Sequence, residues 1–155
     1  GDALAIIDEL EGMSKQAILR SIDSFLVRIF IHLIKNQVEK RLTNSWVASI
    51  SDSLLQIKKL NLKDIKTSYY IKEDEWQPYL EDALEEAIRP ASIEVQGGKL
   101  RPSQLSQMID RIEVINTAQE LLGLTYFYKL RDLPNIIDEY LAKLPGGEDW
   151  FEGLY

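Results

Sequence analysis

The sequence predicts an all-α fold, a single-domain bundle of five or six helices around one long central apolar helix. Three features carry that expectation. Apolar residues recur at helical spacing in nearly every segment. Capping residues and breakers fall between those segments. The 155 residues have an apolar fraction of 45% and a charged fraction of 28%, which is globular composition and enough chain for a real core.

Taken in order, a short helix fits residues 2–12 and is stopped by Gly12. Ser14 caps a long second helix that reaches residue 36 or 40. Thr43 or Asn44 opens a third, in which Trp46, Ile50, Leu54, Ile57 and Leu60 share a face and Asn61 is the end. "KDIKTSYY" at 63–70 reads as a connector. Asp74, with Gln77 as a capping-box partner, starts a fourth helix that Arg89-Pro90 closes. "QGGK" at 96–99 is a turn without phosphate-loop spacing. Pro102-Ser103 opens a fifth helix carrying Leu105, Met108, Ile109, Ile112 and Ile115, with Gly123 as its stop. A last helix spans roughly 133–144 before "PGG". Only "SIEVQGGKL" at 92–100 hints at strands, as a minor hairpin.

The expected domain is 1–155, with 1–12 as a truncated first helix, since the chain opens on Gly1, and 145–155 as an acidic aromatic tail. The net charge of −7 hides an asymmetry. Residues 1–13 carry four acids and no base, residues 14–66 ten bases against four acids, and residues 67–155 eight bases against seventeen acids. The acidic surplus argues against a nucleic-acid binder. The basic middle either faces the acidic half within the fold or serves an anionic partner. No cysteine is present, which excludes thiolate nucleophiles and cysteine-ligated zinc. The longest apolar run, "FLVRIFIHLI" at 25–34, is half of what a membrane span needs. A soluble, cytoplasmic protein is expected, with no cofactor and no metal.

Unrolled at 100° per residue, the helix from 18 to 35 has an apolar arc of about 200° and a polar strip of about 80°. His32, the only histidine, lies on that strip with Arg28 and Lys35. Two cations so close favour a neutral imidazole. Asp23 falls inside the apolar arc and calls for a cation such as Arg20, Arg28 or the Lys40-Arg41 pair. His32, Asp23 and Glu11 are the candidates for catalysis, and no metal-ligand spacing accompanies them. Arg28, Lys35, Lys40 and Arg41 are candidates for an anion-binding face. Trp46 joins Arg28, Lys35 and Arg41 as a binding candidate, and Trp150 and Phe151 on the tail either dock on the body or anchor a partner.

"IDELEGMSKQ" at 7–16, "HLIK" at 32–35, "SW" at 45–46 and "PYLEDALEEA" at 78–87 resemble, in that order, the bacterial, largely cyanobacterial family called domain of unknown function 29. The likeness covers about residues 4–88 and rests on Asp8, Glu9, Leu10, Glu11, Met13, His32, Leu33, Ile34, Lys35, Arg41, Ser45 and Trp46. Ser14 departs from the glycine usual after the methionine, and the family's aromatic N-terminal segment is absent. The resemblance implies a helical fold and supplies no catalytic residues. The expected function is therefore a non-enzymatic protein-interaction module, a homodimer or a binder of another protein. The alternatives are a divergent hydrolase or metal-dependent enzyme centred on His32 and Asp23, and the anion-binding face.

Overall fold

One helix forms the spine. In the computed structural model, which describes residues 2–63 and 68–154, α1 (Asp2–Glu39) runs unbroken through Gly12. At 1.5 Å per residue its 38 residues extend about 57 Å. The expected stop at Gly12 does not occur. A glycine ends a helix by taking a left-handed conformation, and Gly12 does not. In an exposed helix interior it merely costs about 1 kcal/mol relative to alanine.

α1 ends at Lys40, the residue that does adopt the left-handed conformation (φ 54°). That corner is tied from three sides. Lys40 N–H donates to the Asn36 carbonyl at 2.8 Å. The Asn36 side-chain amide donates to the carbonyls of Arg41 at 3.1 Å and Pro145 at 2.8 Å. Gly146 (φ 72°) approaches so closely that a Cβ would lie 2.5 Å from the Lys40 carbonyl oxygen.

α2 (Asn44–Asn61) turns back along α1, its first turn capped by Thr43, whose hydroxyl accepts from Trp46 N–H at 3.2 Å. A 3-10 turn at Glu73–Glu75 precedes α3 (Gln77–Glu94). The expected Asp74–Gln77 box is replaced by a pair two residues earlier, with Lys72 N–H donating to the Glu75 carboxylate at 2.8 Å. α3 does not close at Arg89-Pro90. It continues one turn past Pro90 and buries Ala91 and Ser92, with Val95 just beyond. The expected fifth helix divides into α4 (Pro102–Met108) and α5 (Arg111–Phe127). Asp110 caps α5 by accepting from Glu113 N–H at 3.1 Å, and Gln37 of α1 brackets the backbone of Asp110. Gly123 lies inside α5. α6 (Leu133–Leu141) and a short α7 (Gly147–Phe151) follow. Seven α-helices therefore stand among the described residues, against five or six expected. No strand is among them, only an isolated bridge between Leu62 and Tyr69, so the hairpin is not formed. Residues 64–67 of the expected connector lie outside the described residues.

The core is a single cluster in which Ile22, Leu26, Ile29, Phe30, Leu33 and Ile34 of α1 meet Ile50, Leu54 and Ile57 of α2 and Leu80, Leu84 and Ala87 of α3. α5 and α6 add Leu121, Leu122 and Ile137. At the end opposite the Lys40 corner, polar groups close the packing. The Tyr126 hydroxyl donates to the Ile71 carbonyl at 2.6 Å and accepts from Trp76 Nε1 at 2.8 Å. Asn61 pairs with both polar groups of the Ile71 backbone at 2.8 Å.

Two glycines should respond oppositely to alanine. Gly146→Ala forces a left-handed alanine into backbone atoms and should cost about 3 kcal/mol of unfolding free energy in denaturant titrations. Gly12→Ala, with open space around it, should stabilise its helix by about 1 kcal/mol and raise far-ultraviolet helicity.

Candidate functional site

Residues spread over α1, the corner and α2 converge on one indole. Trp46 is 6% exposed in the first turn of α2. Lys35 Nζ stands 4.6 Å and the Arg41 guanidinium carbon 4.5 Å from its ring centroid. The His32 ring centre is 6.4 Å away at 32°. The four residues from Lys40 to Thr43 are short enough to return α2 beside the α1 turn that carries Lys35. Cations over an indole contribute about 1–2 kcal/mol once desolvated.

Three cations around this junction meet carboxylates within the chain. Lys35, 7% exposed, donates to Glu94 at the end of α3 at 3.0 Å. Arg41 donates to Glu39 at 2.9 Å, and the other Glu39 oxygen accepts from Gln96 N–H at 3.3 Å. Arg28, further along α1, donates to Ser49 at 3.3 Å and lies 3.7 Å from Asp52. Three of the four cations expected to form an anion-binding face are thus matched by the protein's own carboxylates.

His32 is half-buried beside them, its Nδ1 enclosed without a hydrogen-bond partner. Burial first, then Lys35, and more weakly Arg28 lower its pKa from 6.5 to about 4, against an opposing effect of Glu94. The imidazole is neutral at pH 7, as the sequence implied, with desolvation rather than the neighbouring cations as the larger cause.

Asp23 has a different neighbour from the one expected. It is half-buried, and among the described residues no cation pairs with it. Arg28 and Arg41 are engaged elsewhere, and α3 presents Glu86 instead. The hydrogen bond with Asp23, then burial, then the charges of Asp23 and Asp82 push the Glu86 carboxyl up to about 6. Glu11 lies near the free end of α1, on a shallow cleft with Lys63 and Tyr70. The structure does not bring His32, Asp23 and Glu11 together. Nine and twelve residues apart along one helix, they are about 14 and 18 Å from one another along its axis. Among the described residues no three histidine or acidic side chains gather as a metal site.

The tail docks on its own chain through one residue. Trp150 is buried and its Nε1 donates to Asn44 at the start of α2 at 3.0 Å. Phe151 stays 58% exposed, and Tyr155 lies outside the described residues.

The feature not evident in the sequence is the exposure of the first four turns of α1. Residues 2–17 are all exposed, and Leu4, Ile6, Ile7, Leu10 and Met13 are 50–66% exposed. The available signal was a period of three and four residues running straight across Gly12.

Two titrations follow. Lys35→Met should raise the His32 pKa from about 4 toward 6.5, read from imidazole shifts by NMR. Between pH 6.5 and 4 the unfolded chain binds the His32 proton and the folded chain does not, so this group lowers stability as pH falls. The Asp23–Glu86 pair has the opposite sign, since the folded chain protonates first between pH 6 and 4.5. Glu86→Gln should therefore raise the melting temperature at pH 7 and have little effect below pH 4.5.

No curated protein and no solved structure matches the chain. The model of the family described as Domain of unknown function DUF29 matches residues 2–113, from the exposed end of α1 into α5, with His32, Lys35, Arg41 and Trp46 inside the match. The chain belongs to the DUF29 family.

Proposed function

We propose that this protein is a non-enzymatic interaction module that presents the exposed first turns of α1 to another protein. The observation that supports this reading is the direction of the helix's apolar stripe. Asp8, Glu11, Gly12, Ser14 and Lys15 line the cleft with Lys63 and Tyr70, so the side nearest the body carries mainly polar residues. The apolar side, with Ile6, Ile7, Leu10 and Met13, faces water. A helix that merely covers its own domain has the reverse orientation. An apolar stripe of this kind fits the helix-in-groove mode of recognition, in which residues at i, i+3, i+4 and i+7 act as anchors. The junction around Trp46, with its charges internally matched, serves as the rigid base from which the helix projects. Among the described residues no helix is long and apolar enough to cross a membrane.

A photo-crosslinking amino acid at Leu10, expressed in the cells from which the protein comes, should yield a discrete protein adduct. The same group at Ala5, on the opposite side of the helix, should yield far less. Equal or absent adducts at the two positions would overturn the reading.

A further inference from the structure

We infer that the groove between α3 and α5 is a second docking surface, whose occupant is a short amphipathic helix of another protein with lysines or arginines beside its apolar stripe. No residue of α1 lines this groove, and it does not depend on the reading given for the first turns of α1. Two contacts bracket it. Arg111 at the start of α5 is hydrogen-bonded to Glu85 of α3, and Gln119 two turns later donates to the Glu73 carbonyl just before α3, at 3.2 Å. The two helices therefore run antiparallel, and between the contacts lies a cleft of about 460 Å³. From Arg111 to Gln119 it extends about 12 Å, the length of two turns of a helix laid along it.

The floor is apolar, built from Leu84, Ile112 and Ile115. Ile112 is 75% exposed, more than any other large apolar side chain described. The floor fits an apolar stripe, and the charges of the wall select what flanks that stripe. α3 carries five acids against one base. Glu94 is taken by Lys35 and Glu85 by Arg111. The base, Arg89, lies outside the lining. Glu81 and Asp82 line the groove, and among the described residues neither has an ion-pair partner. Arg111, the one cation among the described lining residues, is already held by Glu85 and by the Ser106 hydroxyl at 2.6 Å. Gln77 gives Glu81 a single neutral hydrogen bond at 3.1 Å. The surplus is felt one turn on, where the hydrogen bond with Asp23, then burial, then the charges of Asp23 and Asp82 push the Glu86 carboxyl up to about 6. Cations from outside relieve such a wall, and acidic or neutral partners do not. Gln77, Glu81 and Glu85 follow one another at four-residue intervals. Lysines or arginines at the same interval on a helix in the groove meet those acceptors in register.

The test uses the full chain with labelled isoleucine methyl groups and, as probe, a synthetic helix of leucine and lysine about four turns long. A leucine–glutamate peptide of the same length is the control. In NMR titrations the lysine peptide should shift Ile112 and Ile115 saturably below about 1 mM, and the control should not. The double variant Glu81→Lys, Asp82→Lys alters two exposed positions and should weaken binding more than about tenfold. Ile112→Ser, equally exposed, should weaken it as well. Absence of shifts at Ile112 overturns the inference. Shifts confined to Ile6 and Ile7 overturn it too, while leaving the α1 reading intact. Equal shifts with both peptides, or shifts indifferent to the charge reversal, would mean that the groove does not select a basic partner. Ile112 shifts that grow on concentrating the protein alone would make a second copy the occupant and overturn the choice of partner.

Discussion

The ammonium of Lys35 is almost withdrawn from water, and an unpaired charge in that position would cost several kcal/mol. Much of the fold follows from satisfying it. Glu94 reaches it across fifty-nine residues of sequence, and it can do so only because α3 continues beyond Pro90. A proline in a helix interior costs about 3 kcal/mol. The extra turn offsets that by burying Ala91 and Ser92 and by placing the carboxylate. Trp46 covers the cation from the α2 side, Arg41 shares the same indole, and His32 is left neutral in the desolvated space beside them. One charge thereby holds the C-terminal half of α1, the start of α2 and the end of α3 in register.

The two ends of the body are closed by polar groups rather than by more apolar packing. Asn36 and Gly146 hold the C-terminal turn against the α1–α2 corner, and Trp150 hydrogen-bonds to the start of α2. At the other end Tyr126 and Asn61 satisfy the backbone of Ile71, and Trp76 donates to the Tyr126 hydroxyl. Backbone carbonyls and amides that emerge from helix ends need partners when buried, and side chains from distant segments supply them. Among the described residues, the first four turns of α1 are exposed throughout. The same helix is core for its C-terminal half and free surface for its first four turns. That contrast is the basis for reading it as a binding element.

Much of this was legible in the residues. The stripe from Trp46 to Ile57, the Thr43 cap and the end at Asn61 match α2, because apolar periodicity and capping are local signals. The motif residues His32, Lys35, Arg41 and Trp46 stood out as a set, although nothing in their spacing revealed that a single indole joins them. Where local signals conflicted with packing, packing prevailed. Gly12 and Pro90 look like helix ends, yet both sit inside helices. Asp110 with Glu113 three residues on is a cap signal inside a longer apolar register, and in the structure the cap divides that register.

From its own residues the chain determined helical class, a central apolar helix, the absence of thiol chemistry and a charge distribution with an acidic start. Those properties depend on neighbours a few positions away or on composition. Tertiary structure decided which polar residues are paired, that Asp23 faces Glu86 rather than a cation, and that the catalytic candidates remain apart. It also decided which side of the first four turns of α1 meets water. Periodicity marks an apolar face but carries no information about what lies opposite it, and only the position of the other helices settles that.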